Sequence, residues 1–166
     1  MASAAADYGH LELVQWLIQE QGFAMDWGVM ASAARGGNLE LVRWLEGEGC
    51  GWIALTCQFA AGAGRLKVLQ WLRAHGCPWN IFVCFVAVEQ DHVEVLRWAR
   101  ENGCPWNAET CKFAALNGHL ATLRWARENG CPWTAFTRDQ VAELFGYTDD
   151  LGNLVDGWVD GDDEFW

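Results

Sequence analysis

Hydrophobic and polar positions recur along the chain with a spacing of 27 residues. In the copy from Asn107 to Trp133, the stretches Ala108 to Asn117 and Leu120 to Asn129 are both helical in character. Gly118-His119 separates them, and Gly130-Cys131-Pro132-Trp133 closes the unit. A glycine directly after a helix suits a left-handed C-terminal cap, and a proline two residues later cannot continue the helix. Within the first helix, Cys111, Ala114 and Ala115, with Thr110 and Phe113 beside them, fall on one side, while Glu109, Lys112 and Leu116 recur at i, i+3 and i+7 on the other. The pattern predicts two short helices per unit, each with a core side and a surface side.

Tryptophan and cysteine make the period visible. Trp52, Trp79, Trp106 and Trp133 form one ladder, and Trp44, Trp71, Trp98 and Trp125 form another, with Trp16 and Trp27 as slightly displaced first members. Cys50, Cys77, Cys104 and Cys131 form a third, and Cys57, Cys84 and Cys111 a fourth. A lone pair of short helices cannot bury its apolar side, so such units stack and draw their stability from neighbouring copies. The expected architecture is therefore all-α, a helix-turn-helix solenoid of about five repeats at 2–27, 28–52, 53–79, 80–106 and 107–133, with large tryptophans packed between copies. A degenerate capping repeat follows at 134–159, completing a repeat domain over 1–159. There Thr137 to Phe145 reads as a last first helix, and Leu151, Leu154, Val155, Trp158 and Val159 recur with helical spacing behind Thr148 as N-cap. Residues 160–166 form an acidic tail. At the other end, Ala2 to Tyr8 offers no polar capping surface.

The segment Thr110-Cys-Lys-Phe-Ala-Ala-Leu-Asn-Gly-His-Leu-Ala-Thr-Leu-Arg-Trp-Ala-Arg-Glu-Asn-Gly130 resembles the ankyrin repeat, whose first helix opens T-P-L-H-x-A-A and whose second follows G-H-L-E-V-V. Gly9-His-Leu-Glu-Leu-Val14 matches that second motif closely. The resemblance covers residues 2 to 133. The chain departs from the family in three ways: its unit is 27 residues where ankyrin repeats have about 33, cysteine replaces the proline of T-P-L-H, and Gly-Cys-Pro-Trp-Asn replaces the longer β-finger. It is similar to a short, finger-less ankyrin-like class. The resemblance implies protein–protein recognition without catalysis.

Composition narrows the partners. Across 166 residues, 11 basic and 22 acidic side chains give a formal charge of −11. That charge repels a phosphate backbone, so nucleic acid is not expected as a partner. Seven of the acids (Asp149, Asp150, Asp156, Asp160, Asp162, Asp163 and Glu164) lie in the last stretch of the chain. The longest apolar run, Ile81 to Val88, is far short of the roughly 18 to 20 residues of a membrane-spanning helix, so no membrane insertion is expected. No basic-then-apolar leader is legible at Met1 to Gly9, and the default address is cytoplasmic or nuclear.

Site chemistry is sparse. Cys50 and Cys57, Cys77 and Cys84, and Cys104 and Cys111 are each separated by six residues, unlike the two to four of structural zinc sites. The cysteines read as buried, reduced, small hydrophobes; neither metal nor cofactor is expected. His10, His92 and His119 share one repeat position with Asn38 and Arg65, and read as residues that hydrogen-bond around the turn between helices. No nucleophile–base spacing points to an enzyme. Arg97, Arg100, Arg124 and Arg127 interleave with Glu94, Glu101 and Glu128 as a solvated face.

One unit breaks the pattern. The outward stripe of the first helices reads Gly28, Ala31, Arg35; then Leu55, Gln58, Gly62; then Phe82, Phe85, Glu89; then Glu109, Lys112, Leu116. Two phenylalanines stand together here, at positions where other copies carry Gln58, Glu109 and Lys112, or Gly28, Ala31 and Leu55. The helix from Ile81 to Glu89 is apolar all round, the signature of burial on every side. Either neighbouring side chains cover the rings or a partner protein docks on the concave face. The second reading makes Leu55, Gln58, Phe82, Phe85, Glu89, Glu109, Lys112 and Leu116 the partner-binding set. The rival reading is a permanent structural subunit buried in a larger assembly.

Overall fold

The computed structural model describes residues 1–132 and 134. Trp133, the capping repeat at 134–159 save Thr134, and the acidic tail lie outside the described residues. Among the described residues the regular elements are ten helices: α1 (Ala2–Asp7), α2 (Leu11–Gln19), α3 (Trp27–Gly36), α4 (Leu39–Gly47), α5 (Ala54–Gly62), α6 (Leu66–Ala74), α7 (Ile81–Glu89), α8 (Val93–Glu101), α9 (Ala108–Leu116) and α10 (Leu120–Glu128). None is long and apolar enough to cross a membrane.

Local sequence sets the helix ends. The Asp26 carboxylate accepts from the amides of Gly28 and Val29 at 2.9 and 3.1 Å and starts α3. Asn38 and Asn80 cap α4 and α7 through bonds from Leu41 and Phe82. Each side-chain oxygen satisfies an amide that the helix itself leaves without a partner. In the turns between first and second helices, Gly37, Gly64 and Gly118 take φ of +85°, +70° and +75°. Asp91 occupies the same repeat position at φ +57°, the single non-glycine residue with positive φ among the described residues. Aspartate is one of the few side chains that tolerate this region.

The chain divides into two compact units, Met1–Trp106 and Asn107–Trp166. In the first, α1, α3, α5 and α7 pack successively side by side, and α1/α2, α3/α4, α5/α6 and α7/α8 pack as hairpins. Its core is built from small and medium side chains, among them Ala33, Ala34, Leu41, Leu45, Ala60, Leu72, Val83, Ala87 and Leu96, all fully buried. In the second, α9 packs on α10 over Cys111, Ala114, Ala115, Leu123 and Ala126.

The tryptophans are not the deep core. Trp44, Trp71, Trp98 and Trp125 are half-buried, and Trp16 and Trp27 are exposed. They do bridge copies: Trp52 meets Trp71 edge-on at 6.0 Å between ring centroids, and Trp79 meets Trp98 at 5.7 Å. Of the residues expected to bond around the turn, Asn38 caps its own helix, whereas Arg65 and His92 give no side-chain cap bond to theirs. Asn38 Nδ2 donates to the Gly9 carbonyl at 2.8 Å, Arg65 Nε donates to that of Arg35 at 3.0 Å, and His92 Nε2 lies 3.1 Å from that of Gly62. Each reaches back one repeat. Three chemically different side chains thus perform one task, bonding to a carbonyl at or just beyond the end of the preceding first helix.

Candidate protein-interaction face

The first helices of the first unit leave one long edge uncovered, and the phenylalanine anomaly lies on it. In α7, Val83, Cys84, Ala87 and Val88 are buried, Ile81, Phe85 and Val86 are half-buried, and Phe82 is 51% exposed. The expectation of burial on every side is therefore corrected. A helix of nine residues in a single row of helices has flanks to cover its sides but nothing of this unit over its outer edge, whatever its composition. The two rings pack edge-on, 6.2 Å apart at 82° between planes, a favourable aromatic geometry. Phe82 presents its outer surface to solvent while Phe85 supports it from within.

The flanking residues differ in how freely they can act. Leu55 is half-buried on α5. Gln58 Nε2 donates to Asn80 Oδ1 at 3.2 Å, so this side chain braces the start of α7. Glu89 is exposed at the end of α7. In the second unit, Glu109 and Leu116 are exposed, and the Lys112 ammonium lies 3.1 Å from the Glu109 carboxylate. Of the outward stripe read from the sequence, Ala31 is buried and belongs to the core of the first unit.

Sequence reasoning missed a second feature of the same edge. Ser3 of α1, Trp27, Gly28, Ala31, Ser32 and Arg35 of α3, and Phe59 of α5 line an open recess of about 220 Å³. It exists because small residues at 28, 31 and 32 leave room between Trp27 and Phe59. The Asp7 carboxylate takes two bonds from Arg35, from Nε at 2.7 Å and Nη2 at 2.8 Å, and the guanidinium lies over the Phe59 ring at 5.8 Å. That carboxylate raises the guanidinium's already high pKa, keeping the charge in place. The available signal was Trp27, one position after an aspartate cap and a slightly displaced first member of its ladder.

No family model matches the sequence, and no curated protein matches it. Among solved structures, the ankyrin repeat domain of human ASB11 is similar over 98% of this chain and 85% of its own, with a TM-score of 0.76 and 15% identity. The fold is an ankyrin-like repeat solenoid. A pentatricopeptide repeat protein, PPR10, in complex with an 18-nt psaJ RNA element is similar over 95% of this chain and 26% of its own, with a TM-score of 0.51 and 16% identity. Stacked helix pairs are common to both.

In this ankyrin-like array two of the histidines make structural contacts. His92 serves the bridge described above, and His75 stacks on Trp71 at 3.8 Å with its Nδ1 2.8 Å from the Trp71 carbonyl. Among the described residues no three His, Cys, Asp or Glu side chains converge as a metal would require.

Proposed function

We propose that this chain is a non-catalytic protein-interaction module whose partner docks on the concave helix-1 face, with Phe82 as the central anchor. One observation carries the reading: a half-exposed phenylalanine, backed edge-on by a second ring, on a helix whose inner side is fully packed. A large apolar side chain held rigidly at the surface loses little freedom on binding, and such residues dominate interface energetics. Leu55 and Phe85 widen the apolar centre. Gln58 and Glu89 form its polar margin, all within the first unit. The ankyrin-like fold supports the reading, since stacked repeats expose extended surfaces whose residues vary from copy to copy without disturbing the packing.

The test is the single change Phe82→Ser against a partner isolated by affinity capture and identified by mass spectrometry. Affinity should fall by roughly 30-fold or more, the scale of losing one anchor of about 2 kcal/mol or more. The melting temperature should stay nearly unchanged, because half of the ring is already in water. Binding that falls only in proportion to lost folded protein would assign the ring to the core.

A second reading has an observation of its own. On α2, Leu13 and Trp16 are 45% and 50% exposed, although Leu41 at the equivalent position of α4 is fully buried. A permanent structural subunit, seated in a larger assembly through this end, would cover them. Purified chain that stays monomeric at micromolar concentration favours the docking module; chain that is recovered intact only with a co-expressed neighbour favours the subunit.

A further inference from the structure

All seven cysteines are free and buried, and the interaction face uses none of them. Four occupy the turn after a second helix. There each thiol points at a backbone carbonyl that precedes the first helix of its own repeat: Cys50 at that of Asp26 (3.3 Å), Cys77 at Ile53 (3.6 Å), Cys104 at Asn80 (3.4 Å) and Cys131 at Asn107 (3.5 Å). The other three, Cys57, Cys84 and Cys111, lie on first helices. Read along the chain, these are two separate ladders. Folding brings one rung of each together inside every repeat that has both.

Cys57 donates to Cys77 with 3.2 Å between the sulfurs. In the next repeat the Cys84 thiol donates to the Cys104 carbonyl at 3.9 Å, and Cys84 with Cys104, like Cys111 with Cys131 in the second unit, stands at the repeat positions that Cys57 and Cys77 occupy. A tetrahedral metal with bonds of about 2.3 Å holds two thiolates roughly 3.8 Å apart, so the observed pair is too close for that role. A covalent sulfur–sulfur bond of about 2.05 Å requires only about 1 Å of approach. Each pair also has a guanidinium beside it, because Arg73, Arg100 and Arg127 donate to the carbonyls of Cys77, Cys104 and Cys131. The hydrogen bond from Cys57, aided by Arg73, holds the Cys77 thiol below its ordinary range; Cys84, with Arg100 and Arg73, does the same for Cys104. Cys50 is the internal contrast. Its repeat carries Met30 where the others carry the helix cysteine, and burial together with the Asp26 charge pushes its thiol up to about 11.

We infer that the three dithiols, Cys57 with Cys77, Cys84 with Cys104, and Cys111 with Cys131, are intra-repeat disulfide sites that a hydroperoxide closes. The turn thiolate attacks the peroxide; its sulfur gains an oxygen as sulfenic acid while the O–O bond breaks and hydroxide leaves to be protonated. The helix thiol then attacks the sulfenic sulfur, the S–O bond breaks and water departs with the second proton. The two sulfurs lose two electrons in all, the peroxide is reduced to two waters, and no other reactant is needed. Access is through the turn: Cys77 lies between exposed Gly76 and Pro78, and nothing packs within 4 Å of where a Gly76 side chain would begin. The product ties the first helix to the turn after the second, 20 residues apart, and locks the hairpin of its own repeat.

The experiment treats fully reduced, folded protein with hydrogen peroxide, blocks remaining thiols by alkylation under denaturing conditions, and maps non-reduced peptides by mass spectrometry. Three linked peptide pairs, each short of two hydrogens, should appear, with Cys50 alkylated throughout and consumed on the order of tenfold more slowly. The oxidised protein should melt at a higher temperature than the reduced protein. In Cys57→Ala, Cys77 should instead be trapped as sulfenic acid by dimedone while the other two pairs still form. Disulfides mainly between different repeats, Cys50 consumed as fast as Cys77, or thiols that stay reduced until the protein unfolds would each overturn the inference. The peptide map of the unaltered chain decides this even if the variant is unstable.

Discussion

A methyl group at Gly36 would collide with the backbone of Asp7, its carbonyl carbon 2.9 Å away, whereas one at Gly47 would meet nothing within 4 Å. Both glycines close helices, and both have ordinary negative φ. Gly36→Ala must therefore push α3 off α1 and should lower stability by about 1 to 3 kcal/mol. Gly47→Ala should raise it by roughly 0.5 to 1 kcal/mol through the smaller entropy of the unfolded chain. Urea titration of the two variants checks both signs. The sequence shows two glycines at helix ends; which one a neighbouring backbone touches depends on a contact 29 residues away. Cys50 carries a pH prediction. Its folded pKa of about 11 exceeds the ordinary 9.0, so the fold binds this proton more tightly than the unfolded chain does. The contribution is full below about pH 9 and is lost as pH rises through 11. Melting temperature over that range should fall less steeply in Cys50→Ala than in the parent.

At the scale of the element, α7 shows how composition and environment part company. Its residues are apolar all round, yet its cap and its neighbours decide which side faces water. Asn80 Oδ1 accepts from both the Phe82 amide and the Gln58 side chain. Asn80→Ala removes the two bonds together and should cost roughly 1 to 2 kcal/mol, with faster amide exchange at the start of α7 as the specific signature. Unchanged exchange there would show that the cap is dispensable. The helix boundaries themselves were legible, since the expected Ala108 to Asn117 and Leu120 to Asn129 are observed as Ala108–Leu116 and Leu120–Glu128. Glycine turns and helical spacing are local signals, and local signals survive in a sequence. Exposure of Phe82 is not local, because it depends on what α5 covers.

For the whole molecule, net charge bears on which kind of partner the helix-pair architecture can take. One of the two similar solved structures holds RNA, and its likeness to this chain is one of fold alone. With a formal charge of −11, this chain should not retard single-stranded RNA in an electrophoretic assay at physiological salt, because it has little cationic surface with which to displace counterions. A salt-sensitive complex would reverse that expectation. A second whole-molecule prediction concerns thiols and metal. The reduced fold is complete without cross-links, since every cysteine is free and packed. A chelator added to reduced protein should leave the melting temperature within a few degrees.

The period of 27, the two helices per unit and the glycine-marked turns were determined by the sequence alone. They arise from interactions within a few residues, and repetition amplifies each of them until chance is excluded. Which residues meet across copies was decided only by the tertiary structure. Cys57 and Cys77 belong to different ladders and touch because a hairpin folds one onto the other. Trp27, Phe59 and Arg35 come from two helices and frame a recess through the smallness of the residues between them. Asn38, Arg65 and His92 bond to backbone carbonyls one repeat back. Such contacts depend on the stacking of helix pairs, and stacking geometry is set by the summed fit of many side chains, which no single spacing along the chain encodes.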